Sequence, residues 1–294
     1  MEFKKLLSEK SKQVEKDLIR YIPQKKGYNE NIIKAMEYSL LAGGKRLRPI
    51  LTTEACKIVK GNIKDVEPFA MAIEMIHTYS LIHDDLPALD NDDLRRGKPT
   101  NHKVFGEDMA ILAGDGLLNY SYEVMLSSSI NKNDSEKYLL AINEIAKSSG
   151  INGMIGGQVV DIESEGIKIS KDKLDYIHLN KTASIIAGCM KAGAIIGSAS
   201  DSELVLIESY AKNIGLAFQI VDDILDIEGD ESKIGKKVGS DLELDKSTYP
   251  SIVGMETSKN IASKLIDDAK EFIKDFDENE FLVDLADYIL SRES

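Results

Sequence analysis

Aspartate is concentrated in two short runs whose spacing suits metal binding. The first, His83-Asp84-Asp85-Leu86-Pro87-Ala88-Leu89-Asp90-Asn91-Asp92-Asp93, holds five acids between Asp84 and Asp93; the second is Asp222-Asp223-Ile224-Leu225-Asp226. Hard oxygen ligands in excess select Mg²⁺ or Ca²⁺ over softer metals. An EF-hand loop needs acids at alternating positions, a glycine at the sixth and a glutamate at the twelfth, and neither run supplies them. Mg²⁺ keeps several waters and binds through a few carboxylates plus substrate phosphates, so two acid-rich helix ends suggest a metal-bridged diphosphate. The competing reading is a pair of solvated acidic helix ends partnered by Arg95, Arg96 or Lys233. Against it, each run closes an apolar helical pattern, where the negative pole of the helix and mutual repulsion make carboxylates costly.

Cations for an anionic substrate lie nearby in sequence. Gly43-Gly44-Lys45-Arg46-Leu47-Arg48-Pro49 places three cations in a glycine-led turn before a helix whose first turn contains Pro49, a plausible anion site. An exposed charged loop would read the same way. His77 stands seven residues before Asp84, on nearly the same helix face and about 10 Å away along the axis. Arg95-Arg96-Gly97-Lys98 follows the first acidic run with forked donors suited to phosphate. Lys181-Thr182, Lys236-Lys237 and Lys246 add further charge. Gly229 to Lys236 is not a P-loop, because its glycine spacing is wrong, no Ser or Thr follows the lysine and no strand precedes it.

The elements that must carry these groups are helical, with apolar residues at three and four residue spacing and no sustained alternation. An all-α fold is expected. Asp65 reads as an N-cap, with Pro68 in the first turn, for a helix running to about Asp85 that ends where Pro87 disfavours the α conformation at Leu86. A pattern through Ser39 to Ala42 stops at Gly43-Gly44. Other helical patterns cover roughly Glu107 to Ile130, Ser135 to Ser148, Gly153 to Glu163, Lys171 to Ser200, Ser202 to Ile227 and Ser258 to Phe276. Asp222 and Asp226 share a face, with Asp223 turned roughly 100° away. The polar stretch Glu228 to Lys246 is the longest irregular segment and reads as a binding loop. No linker composition divides the chain, so one domain over residues 1–294 is expected.

Composition narrows the partners. A net charge of −13 over 294 residues argues against nucleic acid, whose phosphate backbone needs a broad basic field. No stretch approaches the eighteen or so uninterrupted apolar residues of a membrane span, and the lysine-rich start is not signal-like, so a cytoplasmic protein is expected. Cys56 and Cys189 sit in apolar helical patterns without metal-ligand neighbours and read as buried hydrophobes.

Taken in order, these residues resemble the trans-polyprenyl diphosphate synthase family, most closely its bacterial farnesyl diphosphate synthase (geranyltranstransferase) branch. The resemblance runs from Gly43-Gly44-Lys45-Arg46-Leu47-Arg48-Pro49 through Asp84-Asp85-Leu86-Pro87-Ala88-Leu89-Asp90 and Arg95-Arg96-Gly97-Lys98-Pro99-Thr100. It continues through Gly156-Gly157-Gln158, Lys181-Thr182 and Phe218-Gln219-Ile220-Val221-Asp222-Asp223-Ile224-Leu225-Asp226 to Lys246-Ser247-Thr248-Tyr249-Pro250. It implies an all-helical isoprenoid-synthase fold around a central cavity, usually a homodimer, with three Mg²⁺ ions clamping an allylic diphosphate and Mn²⁺ a possible substitute. By the same resemblance Asp84, Asp85 and Asp90 match the first aspartate motif, and Asp222, Asp223 and Asp226 the second. Lys45, Arg48, His77 and Arg96 would hold isopentenyl diphosphate, while Arg95, Lys181, Lys236 and Lys246 would contact the allylic partner. Lys181, Thr182 and Gln219 would surround the reacting carbon. Ile234 and Asn91 depart from the commoner family residues without removing a proposed ligand.

The resemblance implies condensation of isopentenyl diphosphate with dimethylallyl or geranyl diphosphate to give farnesyl diphosphate. Family members set chain length by the residues just before the first aspartate motif, here Tyr79 and Ser80; a bulky Tyr79 with a small Ser80 suggests growth stops near fifteen carbons. Geranylgeranyl diphosphate synthase shares every motif and differs in cavity depth. A terpene cyclase would leave Lys45, Arg48 and His77 without a purpose. A non-catalytic subunit of a heteromeric synthase would be expected to have lost acids from one motif, and both are intact.

Overall fold

The computed structural model describes residues 2–130, 132–228 and 247–292. Apart from one short hairpin, the regular elements among these residues are helices. They group into two compact units, one of Met1–Thr53 with Ile63–Ile142 and one of Glu54–Asn62 with Asn143–Ser294.

The first unit is organised by α4 (Ile63–Asp84), which follows α1 (Glu2–Tyr21), α2 (Glu30–Leu40) and α3 (Leu47–Ile58). Its sequence Phe69-Ala70-Met71-Ala72-Ile73-Glu74-Met75-Ile76 is buried on every face, as expected of a helix that is apolar all round. Helix α4 starts three residues earlier than an Asp65 cap implies. Asp65 is instead a first-turn acid, favourable at the positive helix end, and is ion-paired to Lys132 at 2.6 Å. Pro68 falls inside the helix, where its ring forfeits one i→i−4 hydrogen bond. Beyond α5 (Asn101–Phe105), α6 (Glu107–Ser129) packs along α4 through small buried residues, Ala110, Ala113, Gly114 and Ser121. A Cβ on Gly114 would lie 2.1 Å from His83 Nε2, so the close approach of these two helices needs glycine there.

Between α4 and α5 the chain makes a hairpin that the absence of alternation gave no reason to expect: β1 (Leu94–Arg95) pairs antiparallel with β2 (Lys98–Pro99). Arg96 and Gly97 form its two-residue turn with φ of 55° and 74°. Positive φ at both central positions is what a tight hairpin turn requires.

The second unit is built on α11 (Asp201–Glu228), surrounded by α10 (Ser184–Ile196) and, after residue 246, by α12 (Tyr249–Val253), α13 (Met255–Ile273) and α14 (Glu280–Ser291). Among the described residues α11 is the one helix long and apolar enough to cross a membrane by composition. It is packed instead against α10 and α13, with Tyr210 and Ile220 fully buried. Both cysteines are free and buried, as their apolar surroundings suggested.

The expected helix from Lys171 to Ser200 is not continuous. It is divided into α9 (Lys171–His178) and α10 by a π-helical turn at Leu179–Ala183. Two glycines on neighbouring helices crowd that turn. A Cβ on Gly157 of α8 (Met154–Ile162) would lie 2.2 Å from the Lys181 nitrogen, and one on Gly215 of α11 2.7 Å from Ala183 Cα. Helical periodicity cannot reveal a single extra residue in a turn, and π turns of this kind occur often at functional sites.

Candidate active site

In the first unit, α4 ends at Asp84 and the chain folds back at once. The Asp90 amide donates to the Asp84 carbonyl at 2.9 Å, and the Asn91 amide donates to the Leu86 carbonyl at 3.1 Å, with Asn91 at φ 52°. This return turn sets Asp90 beside Asp84, although six residues separate them. Asp84 is half-buried and Asp90 exposed, whereas Asp85 is only 3% exposed. Arg95 Nε donates to Asp85 Oδ1 at 2.6 Å, with a longer contact of 3.4 Å to Asp92. Burial pushes the Asp85 carboxyl up, against the opposing pull of Arg95. The hairpin therefore ties one predicted phosphate contact to one predicted metal ligand.

The same hairpin delivers Arg96 to the glycine-led turn. Its Nη1 donates to the Gly43 carbonyl, and a Cβ on Gly44, at φ 124°, would fall 2.5 Å from the guanidinium carbon. Lys45 is exposed at the tip and Arg48 lies in the first turn of α3. His77 on α4 completes the group. Burial, then the charges of Arg48, Arg96, Arg95 and Arg46, hold the His77 imidazole well below its usual 6.5. His77 is thus neutral near pH 7. Lys45, Arg48, His77 and Arg96 all belong to this unit, and the charges of Arg48 and Arg96 act on His77.

A depressed histidine makes a signed prediction. Below about pH 6.5 the unfolded chain takes up a proton that native His77 refuses, so stability falls as pH drops through that window. His77→Gln should lessen the loss of Tm between about pH 6.5 and 5 relative to the parent protein.

Tyr79, two residues after His77, is 6% exposed, and its hydroxyl is buried without a hydrogen-bond partner. Its ring meets His83 edge to face at 5.8 Å, and burial raises the phenol to about 12. Ser80 turns its hydroxyl back to the His77 carbonyl at 2.9 Å. A small cavity beside α4 is lined by Thr78, Asp85, Arg95, Arg96, Ser39 and Asn101.

In the second unit, the π turn presents Lys181 and Thr182. The Lys181 ammonium donates to Asp161 of α8 at 2.6 Å, and the Thr182 hydroxyl to Gln219 Oε1 at 3.1 Å. Gln219 in turn approaches Asp223 at 3.5 Å. All three residues predicted to surround the reacting carbon thus occupy one locus. Gly157→Ala would push the Lys181 backbone out of the turn while touching none of these side chains; kcat should fall at least about tenfold, roughly 1.4 kcal/mol in barrier, with thermal unfolding still cooperative.

The second aspartate motif repeats the division seen in the first. Asp222 and Asp226 are half-buried, while Asp223 is 3% exposed. Asp223 Oδ2 accepts from the Tyr249 amide at 2.9 Å and lies 3.1 Å from His178 Nε2. His178 stacks on Tyr249, whose hydroxyl donates to Asp175, itself paired with Lys171 at 2.6 Å. Arg292 Nη2 donates to Asp222 Oδ1 at 2.5 Å and to the Phe218 carbonyl at 2.7 Å, its guanidinium 3.8 Å from the Phe218 ring centroid. Sequence reading missed Asp161, His178 and Arg292. Asp161 had a weak signal, three residues beyond Gln158 on one helix face; the others had none. Lys236 and Lys246, with the loop that carries them, lie outside the described residues.

The donor set fits a hard divalent ion. Asp84, Asp90, Asp222 and Asp226 offer oxygen only and keep part of their surface open. No group of three such ligands among the described residues forms a ready-made cage. Mg²⁺ does not need one, since it takes one or two carboxylates and completes its octahedron with water and phosphate oxygens.

The chain is similar to known proteins in sequence and in fold. The chain is 49% identical over 269 residues to the heterodimeric geranylgeranyl pyrophosphate synthase large subunit 1, chloroplastic, of Arabidopsis thaliana, covering 90% of this chain and 72% of that protein. It is 45% identical over 288 residues to the farnesyl diphosphate synthase of Bacillus subtilis, covering 98% and 97%. The crystal structure of an FPP/GFPP synthase from Zymomonas mobilis matches with a TM-score of 0.87 at 33% identity, over 98% of this chain and 99% of that one. The polyprenyl synthetase family model matches residues 29–284, and with its all-α fold the chain belongs to that family, as a prenyltransferase that elongates isoprenoid chains.

Proposed function

We propose that this chain condenses isopentenyl diphosphate with dimethylallyl or geranyl diphosphate to give (E,E)-farnesyl diphosphate, residues 1–294 acting as one catalytic domain. The observation that carries the product assignment is Tyr79, a bulky buried side chain five residues before Asp84, about one and a half turns farther from the proposed metal end. A growing chain directed along α4 meets that ring. The nearest other reading is a twenty-carbon product, supported by relatives named geranylgeranyl pyrophosphate synthases in Arabidopsis thaliana and Capsicum annuum.

Polyprenyl synthetases are generally Mg²⁺-dependent, and here Asp84, Asp90, Asp222 and Asp226 would hold the ions, with Asp85 and Asp223 completing each motif. When bound, Mg²⁺ draws charge onto the leaving diphosphate. Arg95 and Lys181, with Lys236 and Lys246, would stabilise the same developing negative charge. The allylic C1–O bond breaks, and isopentenyl C4 forms the new bond to C1. The Thr182 hydroxyl and Gln219 side-chain oxygen would orient partial negative charge toward the cationic carbon. A proton then leaves C2 of the isopentenyl unit, taken up by the departing diphosphate, and the double bond forms. Lys45, Arg48, His77 and Arg96 would hold the second diphosphate, and a neutral His77 can donate one hydrogen bond there without adding charge.

We further propose a cytoplasmic homodimer. Exposed Ile111, Leu112 and Leu126 on α6 support a second copy as partner for that surface. The test is incubation with labelled isopentenyl diphosphate, each allylic primer and Mg²⁺, followed by sizing of the dephosphorylated products. A fifteen-carbon product abolished by EDTA is expected. A twenty-carbon product would keep the chemistry and remove the Tyr79 floor, and no condensation with any primer would remove the enzymatic assignment.

A further inference from the structure

The turn that carries Lys45 and Arg48 hangs on a buried charge pair. Arg46 Nη1 donates to Glu74 Oε1 at 2.6 Å, with the two side chains 0% and 2% exposed. Arg46 adopts a left-handed backbone, φ 52°, that a side-chain-bearing residue rarely takes. Its Nη2 donates to the Leu40 carbonyl at the end of α2 at 2.7 Å and reaches Glu15 of α1 at 3.6 Å. Next to it, the Ser11 hydroxyl donates to the Lys45 carbonyl at 2.7 Å. The turn is therefore gripped from α1, α2 and α4.

The pair is a poor stability device. Arg46 Nε and Glu74 Oε2 are both buried with no hydrogen-bond partner, and an imperfectly satisfied buried ion pair can often be replaced by apolar residues with little loss. Its placement suggests another use. Glu74 is three residues before His77, on the same face of α4. Burial lowers the Arg96 guanidinium, and Glu74 is the main charge opposing that, against Arg46, Arg95 and Arg48.

We propose that Arg46 and Glu74 are positioning residues for isopentenyl diphosphate, fixing the 43–48 backbone so that Lys45 and Arg48 are presented on either side while Glu74 offsets the crowded cations. The inference rests on the reading of that turn as the isopentenyl diphosphate site. Glu74 keeps the arginines close before the substrate arrives, and Arg46, unable to reach solvent, serves as the anchor.

The experiment compares wild type, E74Q, R46M/E74M and R46K by thermal melting, by calorimetric titration with isopentenyl diphosphate, and by KM for isopentenyl and for geranyl diphosphate. E74Q should melt well below wild type. The double variant R46M/E74M should melt close to wild type yet bind isopentenyl diphosphate at least about tenfold more weakly, about 1.4 kcal/mol. KM for geranyl diphosphate should stay within about twofold, a small change by the same conversion. A double variant that regains both stability and affinity would overturn the proposal, leaving a purely structural pair. Should R46M/E74M not fold, R46K decides. It keeps the charge but cannot span Glu74 and the Leu40 carbonyl as a fork does, and an unchanged KM for isopentenyl diphosphate would overturn the proposal. Wild type that fails to bind isopentenyl diphosphate at all would instead bring down the site assignment itself, a result distinct from any variant effect.

Discussion

Asp84→Ala should lower kcat by on the order of 10²–10³ while changing Tm little, whereas Asp222→Ala and Asp223→Ala should lower Tm as well as activity. The division follows from burial. Asp84 stands at the end of α4 with part of its surface open, so its removal deletes a proposed oxygen ligand without emptying a packed space. Asp223 is a hub, accepting from the Tyr249 amide and lying 3.1 Å from His178 Nε2. Truncating it strands a buried N–H and an imidazole, at a cost of about 1–3 kcal/mol for each group left unsatisfied. Circular-dichroism melts alongside steady-state assays at saturating Mg²⁺ would check this. Equal Tm losses in all three variants would show that Asp84 is structural too. Asp222→Ala takes away the 2.5 Å partner of Arg292, whose side chain is buried, and a buried cation left without its carboxylate costs stability.

Tyr79→Ala should change what is made. Removing the ring opens space along α4 one and a half turns from Asp84, and the main product should move from fifteen to twenty or more carbons, read by chromatography of the dephosphorylated alcohols. Ser80→Phe should act oppositely and shorten the product. The tyrosine hydroxyl has no partner to lose, so the stability cost of the alanine variant is that of an aromatic core truncation, about 3–5 kcal/mol. Assays are best run well below the variant's Tm. A product distribution unchanged in both variants would remove Tyr79 and Ser80 from chain-length control.

Most of the helices, and the residues they carry, could be read from the chain because they obey simple periodicities. The breaks at Gly43-Gly44 and just before Pro87 could be read for the same reason, since both residue types restrict the backbone in known ways. What escaped was whatever depends on partners distant in sequence. The start of α4 was misplaced because Asp65 looks alike as a cap or as a first-turn acid, and only Lys132 shows which. The hairpin at Arg96-Gly97 escaped because strands of two residues leave no alternation to see. Asp161 and Arg292 escaped because a lone charged residue on a helix or just past its end is ordinarily solvated; their meaning comes from Lys181 and Asp222. The spacing of the aspartate motifs marks them as candidate ligands, but it does not show the internal division that buries the middle acid of each. Alternation of exposure over adjacent acids is set by the packing of whole helices.

The π turn at Leu179–Ala183 has a consequence for how this segment tolerates length change. It holds one residue more than an α-helical path would need, so the stretch from Lys171 to Ile196 contains a built-in insertion. Deleting a single residue there would let the two flanking helices merge into one regular rod, with better internal hydrogen bonding than before. Lys181 or Thr182 would then rotate by about 100° away from its neighbour helix, breaking the link to Asp161 or to Gln219. The irregularity is therefore a local concession: the backbone gives up its most regular form so that an ammonium and a hydroxyl, adjacent in sequence, can each meet a different helix.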